Sequence, residues 1–305
     1  MYIYCQHNFF FESHVHIFFF PQNGNQIFFQ IITGEIPETL LAILRTVHIH
    51  LYQRIGRPHK LSPRNRILLF VLWLHSDPSY HMLSSLFDVS VSTVLDEINI
   101  CLPIFEEYFG SFVRWPTLNE WLELRGEWQK LPLAIGAIDG TSSEIYRPQT
   151  EPQEHYFSGH RHYHCIHTQV VINNKGEICF IESGFLGHQN DAQQFMFMRQ
   201  IGNDVSLPFP DNCFLLGDKI YPNRHPVMTP YTRQQIASKP ECLKNKCRKL
   251  NRLISEYRIK VEHAIYELKC YKVMGTLWRH HRPKLNNLVK ICAGFVNRRK
   301  TLFND

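Results

Sequence analysis

The sequence predicts an α/β protein, a mixed sheet with flanking helices preceded by a small all-α domain, and three observations carry that expectation. Leu131 to Asp139 (LPLAIGAID) is a mostly apolar run that ends in an acid and is followed by Gly140. That is the pattern of a buried strand whose carboxylate emerges at its carboxyl end. Cys165 to Ile172 and Glu177 to Glu182 flank Asn173, Asn174, Lys175 and Gly176, which reads as a hairpin. Helical periodicity runs from Glu35 to about Tyr108 and returns from about Leu250 to Tyr271.

Residues 1–35 hold eight Phe among His, Gln and Asn. Glu12, His14, His16, Pro21 and Gln22 break every apolar run well short of the roughly 20 residues a bilayer requires. With no basic start and no small-residue cleavage site, the stretch is not a signal peptide either, and it is left as an unassigned extension.

Residues 36–115 are expected to form the helical domain. Ser62 and Pro63 make an N-cap and first-turn pair ahead of the apolar run Ile67, Leu68, Phe70, Val71, Leu72 and Leu74. A short helix follows at Tyr80 to Phe87, then a tight turn at Asp88 and Val89. Ser90 is placed to cap a third helix through Val94, Ile98 and Leu102, and together these form a helix-turn-helix candidate. Its third helix would turn Val91, Ser92, Thr93 and Asp96 toward DNA. That helix also carries Asp96 and Glu97, with no Lys or Arg before Arg114, so a purely structural three-helix bundle is the alternative. Residues 116–130 are expected to be a connecting helical segment, part of a stretch from Ser111 in which Trp115, Trp121 and Trp128 pack on the next domain.

Residues 131–300 then read strand, hairpin, helix, strand, helix. The first strand ends at Ile138, a short helix covers Asp191 to Arg199, and a second acid-terminated strand covers Phe214 to Asp218. Val227 to Thr229 forms a short extra strand. In the last long helix Leu250, Leu253, Tyr257, Val261, Ala264 and Leu268 share one face, and Glu262 stands at its edge.

Length and charge bound the function. A chain of 305 residues holds one large domain and a smaller one. The formal net charge of +6 conceals an asymmetry, because residues 241–300 contain 16 Lys or Arg against 4 Asp or Glu. Concentrated positive charge suits a polyanion held by its phosphates, and the plain alternative is a solvated basic face. Nine scattered Cys, an odd number without a CxxC pair, argue for a reducing compartment rather than a disulfide scaffold. Cys242 and Cys247 lack the second pair a zinc site needs and are read as ordinary thiols.

Three acids on separate elements, Asp139, Asp218 and Glu262, suggest a carboxylate cluster for metal ions. The order AIDGT, GDKIYP and VEHAIYELK, together with Tyr156 to Val171 (YFSGHRHYHCIHTQVV) and Gly187 to Phe195 (GHQNDAQQF), resembles the DDE-type transposase/endonuclease domain of the Harbinger group over roughly Leu131 to Val296. The resemblance implies a ribonuclease H-like fold and a metal-dependent DNA endonuclease or transposase. Asp139 would bridge two Mg²⁺ or Mn²⁺ ions, with Asp218 on one and Glu262 on the other, in a two-metal phosphodiester cleavage. It further implies DNA as partner, a Myb-like accessory protein, possible homo-oligomers, no membrane, and a nuclear location with the cytoplasm as alternative.

Auxiliary candidates are Asp191, His188 and Lys219. Asp191 is read first as a helix N-cap and second as a metal-adjacent acid, and His188 first as an exposed loop residue. Glu262 has a plain reading too, as an ion pair with Arg258 one turn away. Beside Ser92 and Thr93, the candidate DNA contacts are Arg161, Lys246, Arg248, Lys249 and Arg258. Three positions depart from the resemblance. His160, His162 and His164 alternate as though on one strand face, where relatives carry Lys or Arg; they suggest a weaker phosphate surface, with a zinc site as the minor alternative. Lys219 follows Asp218 directly, and Val296-Asn297 replaces a His-Asn pair. A DNA-binding adaptor that keeps the fold without cutting is the rival function, and a His-rich zinc-binding interaction protein is the third.

Overall fold

The computed structural model describes residues 26–52, 59–198, 201 and 207–304. Most of the Phe-rich extension therefore lies outside the described residues. The chain divides into two units, one through Cys101 and one from Leu102. That division falls inside a helix, ahead of the boundary expected at residue 115.

In the first unit α1 (Gln26–Thr33), α2 (Pro37–Tyr52), α3 (Pro63–Ser76), α4 (Tyr80–Phe87) and the start of α5 (Val91–Gly110) follow in order. The caps act as the sequence predicts. Ser62 accepts from the Asn65 amide at 3.3 Å and Ser90 from the Thr93 amide at 3.2 Å. Asp88 turns the chain between α4 and α5 with φ 49°. Buried Leu69, Phe70, Trp73, Leu74, Leu83, Phe87, Val94 and Ile98 form the core.

One expectation needs correction. Glu97 was counted as negative charge on the exposed helix, but it is 3% exposed and bonded to Arg66 and His59, so of the two acids only Asp96 faces outward.

The second unit is built on one sheet. After α6 (Leu118–Glu123) come β1 (Ala134–Glu144), β2 (Phe157–Ser158), β3 (Tyr163–Asn173), β4 (Ile178–Leu186), α7 (Asp191–Phe197), β5 (Phe214–Leu216) and β6 (Val227–Met228). Then follow α8 (Arg233–Ala237), α9 (Glu241–Cys270), α10 (Lys272–Gly275) and α11 (Lys284–Asn304). β1 is central, antiparallel to β3 and parallel to β5, while β4 lies outside β3 and β6 outside β5. The predicted hairpin is β3–β4, closed through Asn173 as read.

Several boundaries differ from the sequence reading. β1 does not end at Ile138 but continues to Glu144, because residues 140–144 keep their pairing with β3, so Asp139 lies mid-strand rather than at a strand end. Of the segment 111–130 only α6 is a regular helix of more than a turn, yet Trp121 and Trp128 are buried as expected. α9 begins at Glu241, well before Leu250: its first turns are solvated and basic, so apolar periodicity could not reveal them. His160 and His162 sit in the turn between β2 and β3, with φ 61° at His162, so the three His do not share a strand face.

The apolar face of the sheet closes on Trp121, Phe195, Phe209 and Tyr221. α11 seals the β4 edge through one amide: Asn297 Oδ1 accepts from the Ile178 amide, and its Nδ2 donates to the Ile178 and Phe112 carbonyls, all at 2.8 Å. Asn297→Ala would bury three unpaired backbone groups and is expected to cost about 2–4 kcal/mol in urea unfolding. A loss under about 0.5 kcal/mol would show that the amide does not hold this edge.

Every described cysteine is a free thiol, with Cys242 exposed and Cys247 buried. Among the described residues no helix is long and apolar enough to cross a membrane.

Candidate active site

Side chains alternate along a strand, so β1 sends Ile138 and Gly140 to one face and Asp139 to the other. On the Asp139 face lies α9. Arg258 reaches in from it, with Nη2 3.0 Å from Asp139 Oδ2 and Nη1 3.9 Å from Glu262 Oε1 one turn further along. Glu262 is thereby delivered to the same side of the sheet as Asp139, and the side-chain pairing with Arg258 is present. Arg258, read from sequence as a phosphate contact, points inward and is only 13% exposed.

On the Gly140 face lies α7. A side chain at residue 140 would collide with Asp191 Oδ1 and Gln169 Nε2, so glycine is what lets the carboxylate lie against the strand. Asp191 is not the N-cap. Asn190 caps α7 in a reciprocal box with Gln193, bonds of 2.9 and 3.0 Å, which leaves the Asp191 carboxylate to accept from Gln169 Nε2 at 3.1 Å.

These neighbours tune Asp139. Burial pushes its carboxyl up to about 6; Arg258 and the Gly140 amide at 3.0 Å pull it down, and the Asp191 and Glu262 charges push it up. Negative charge is crowded here beyond what one guanidinium balances.

Asp218 comes from the next strand. Ala137 and Leu216 are register partners in parallel β1 and β5, and two residues further on in each chain segment stand Asp139 and Asp218. Asp218 is half-buried, its Oδ1 accepting from the Lys219 amide at 2.6 Å, while the Lys219 side chain is exposed. Among the described residues no three of His, Cys, Asp and Glu already converge as a metal's ligands would. The all-oxygen donor set nevertheless suits a hard divalent ion, and the uncompensated charge around Asp139 fits one.

Other candidates lie further out. His188 is exposed, its Nδ1 2.8 Å from the His155 carbonyl oxygen. Arg161 is exposed beside β2. Lys246, Arg248 and Lys249 are exposed on the first turns of α9, a helix rise of roughly 14–18 Å from Arg258. Ser92 and Thr93 belong to the first unit, where both hydroxyls contact Ser90 Oγ, at 2.9 and 2.8 Å. A groove of about 700 Å³ runs elsewhere, lined by Glu106, Trp115, Glu182 and Lys290, and contains none of the three acids.

Sequence reasoning missed the polar network beneath the site. Gln169, fully buried on β3, donates to Asp191 and, at 2.6 Å, to Gln194 Oε1; its own Oε1 accepts from the Tyr221 hydroxyl at 2.6 Å. Burial, with Asp191 and Asp139 close by, raises the Tyr221 phenol well above its ordinary range, so it stays a donor. The available signal was a glutamine inside an apolar strand run, since buried amides are kept only where satisfied. Gln169→Leu strands three partners and is expected to cost about 2–4 kcal/mol in urea unfolding, against about 1 for Tyr221→Phe. Equal losses from the two would mean that Gln169 is not the hub.

The DDE superfamily endonuclease family matches residues 138–297, just over half of the chain and all three acids. The chain belongs to that family. It is also 26% identical over 250 residues to the probable transposase for insertion sequence element IS702 of Microchaete diplosiphon, covering 79% of this chain and 82% of that protein. No solved structure matches the chain significantly. Membership of the DDE endonucleases points to nuclease or transposase chemistry, and such enzymes generally use divalent metals.

Proposed function

We propose that this DDE endonuclease cleaves DNA phosphodiester bonds with two divalent cations, Mg²⁺ or Mn²⁺, in the manner of Harbinger transposases. The observation that carries the reading is Asp139, half-buried at the middle of the central strand, sharing Arg258 with Glu262 of α9 and standing level with Asp218 beyond β5. The strand order, with β1 flanked by an antiparallel β3–β4 pair and by parallel β5 and β6, supports a ribonuclease H-like fold.

Asp139, Asp218 and Glu262 would hold the metals. When bound, they supply an activated attacking oxygen and neutralise charge on the phosphoryl oxygens. The chain's own residues set the rest. Burial keeps Asp139 in place, Gln169 and Tyr221 orient Asp191, and Asp191 acts as a neighbouring negative charge. Lys246, Arg248 and Lys249 grip phosphates along α9, with Arg161 and Lys219 as further contacts and His188 as an auxiliary group. The α4–α5 pair is the helix-turn-helix that presents Ser92 and Thr93, and the burial of Glu97 favours that role. A Myb-like accessory protein, self-association and a nuclear location complete the reading.

The test is nicking of supercoiled plasmid by the full chain with Mg²⁺, Mn²⁺, Ca²⁺ or EDTA. Product with Mg²⁺ or Mn²⁺ alone is expected.

A second reading has its own support, because Arg258 already neutralises part of the acid pair and, among the described residues, no ligand set is closed. A DNA-binding adaptor without cleavage would give a metal-independent band shift and no product at any metal concentration.

A further inference from the structure

Arg258 stands in an unusual place for a basic residue of a DNA-handling helix. Its guanidinium is 13% exposed and directed at two carboxylates, 3.0 Å from Asp139 and 3.9 Å from Glu262, while its Nε is buried without a hydrogen-bond partner. Lys246, Arg248 and Lys249 on the same helix are exposed instead. A planar guanidinium spanning two acids from one side does electrostatically what a bound cation does: it cancels their repulsion and holds them in register.

We propose that Arg258 is a resident counter-cation, occupying Asp139 and Glu262 until a divalent ion displaces it from Asp139. The two occupants compete for one atom: Asp139 Oδ1 accepts from the Gly140 amide at 3.0 Å, and Arg258 Nη2 stands 3.0 Å from Oδ2, the oxygen left for a metal. Metal loading therefore works against the Arg258–Asp139 pair, which raises the metal concentration at which the site fills.

The proposal rests on the metal-site reading, and its test separates the two. Mn²⁺ binding to the full chain, without DNA, is measured by calorimetry and by the Mn²⁺-induced rise in Tm. Arg258→Gln is expected to bind Mn²⁺ at least about tenfold more tightly than wild type and to show the larger Tm rise, even where its metal-free Tm is lower. Arg258→Lys, whose point charge cannot fork across both acids, is expected to tighten binding several-fold and serves if the Gln variant does not fold. Lys260→Gln removes a charge from the same helix away from Asp139, where Lys260 Nζ bonds the Asn174 carbonyl at 2.7 Å, and is expected to change little.

Equal or weaker binding in the Arg258 variants, with binding still lost in Asp139→Asn, would overturn the proposal and leave the metal site standing. Comparable tightening in Lys260→Gln would reduce it to a bulk charge effect. Mn²⁺ affinity untouched by Asp139→Asn would remove the metal site and the proposal together.

Discussion

Asp139→Asn is expected to lower metal-dependent plasmid nicking by about 10³-fold or more while leaving the protein folded, since it removes one ligand charge at the point where transition-state charge must be balanced. The substitution is nearly isosteric, and its one oxygen keeps the bond from the Gly140 amide that Oδ1 accepts, at the loss of the Arg258 contact made by Oδ2. Loss of folding is therefore not the expected route to inactivity.

The pH dependence follows from the same carboxyl. Its folded pKa, about 6, lies above the usual carboxylate range, so the fold favours the protonated form. The stability this group contributes is full below the unfolded carboxylate pKa and is lost as pH rises through about 6. Metal-free wild type should therefore lose Tm between pH 4 and 7 relative to Asp139→Asn, while nicking should rise over the same window as the acid ionises. Nicking that persists in the Asn variant at near wild-type rate would remove Asp139 from the chemistry.

The largest stability effect is expected in the other unit. Arg66→Ala should cost about 3–5 kcal/mol, because it strands a buried carboxylate. Arg66 is 1% exposed; its Nε lies 2.5 Å from Glu97 Oε2 and its Nη1 donates to the Leu51 carbonyl at 2.8 Å. His59 Nδ1, 2.9 Å from Glu97 Oε1, is the only other partner near that carboxylate among the described contacts and is a weak substitute for a guanidinium. Replacing both charges, Arg66→Met with Glu97→Leu, should recover most of the loss, since no ion is then left without a partner. Denaturant unfolding of the three variants measures this. A double variant no better than the single would mean that the pair contributes packing rather than charge balance.

Much of the architecture was legible because it depends on local rules. The capping serines 62 and 90, the short helix Tyr80–Phe87 and the hairpin through Asn173 all follow from neighbours within a few residues, and so does the buried run before Asp139. Where reading failed, the cause was non-local. Asp139 looked terminal because an acid after an apolar run resembles a strand end, yet pairing with β3 carries the strand on to Glu144. Asp191 looked like a cap because Asn190 beside it is an equally good one, and only the backbone angle decides which residue does the capping. Glu97 looked like negative charge on an exposed helix until packing set it against Arg66.

The sequence alone determined the element types, the basic character of the last long helix and the acids available for chemistry, since those depend on residue type and short-range spacing. Tertiary structure alone decided that Arg258 faces Asp139 rather than solvent, that Asp191 hangs from Gln169, itself held by Tyr221, and that Glu262 reaches the Asp139 side of the sheet. The physical reason is that a charge takes its meaning from what surrounds it. Burial and partners are set by residues distant in sequence, and no periodicity along the chain records them.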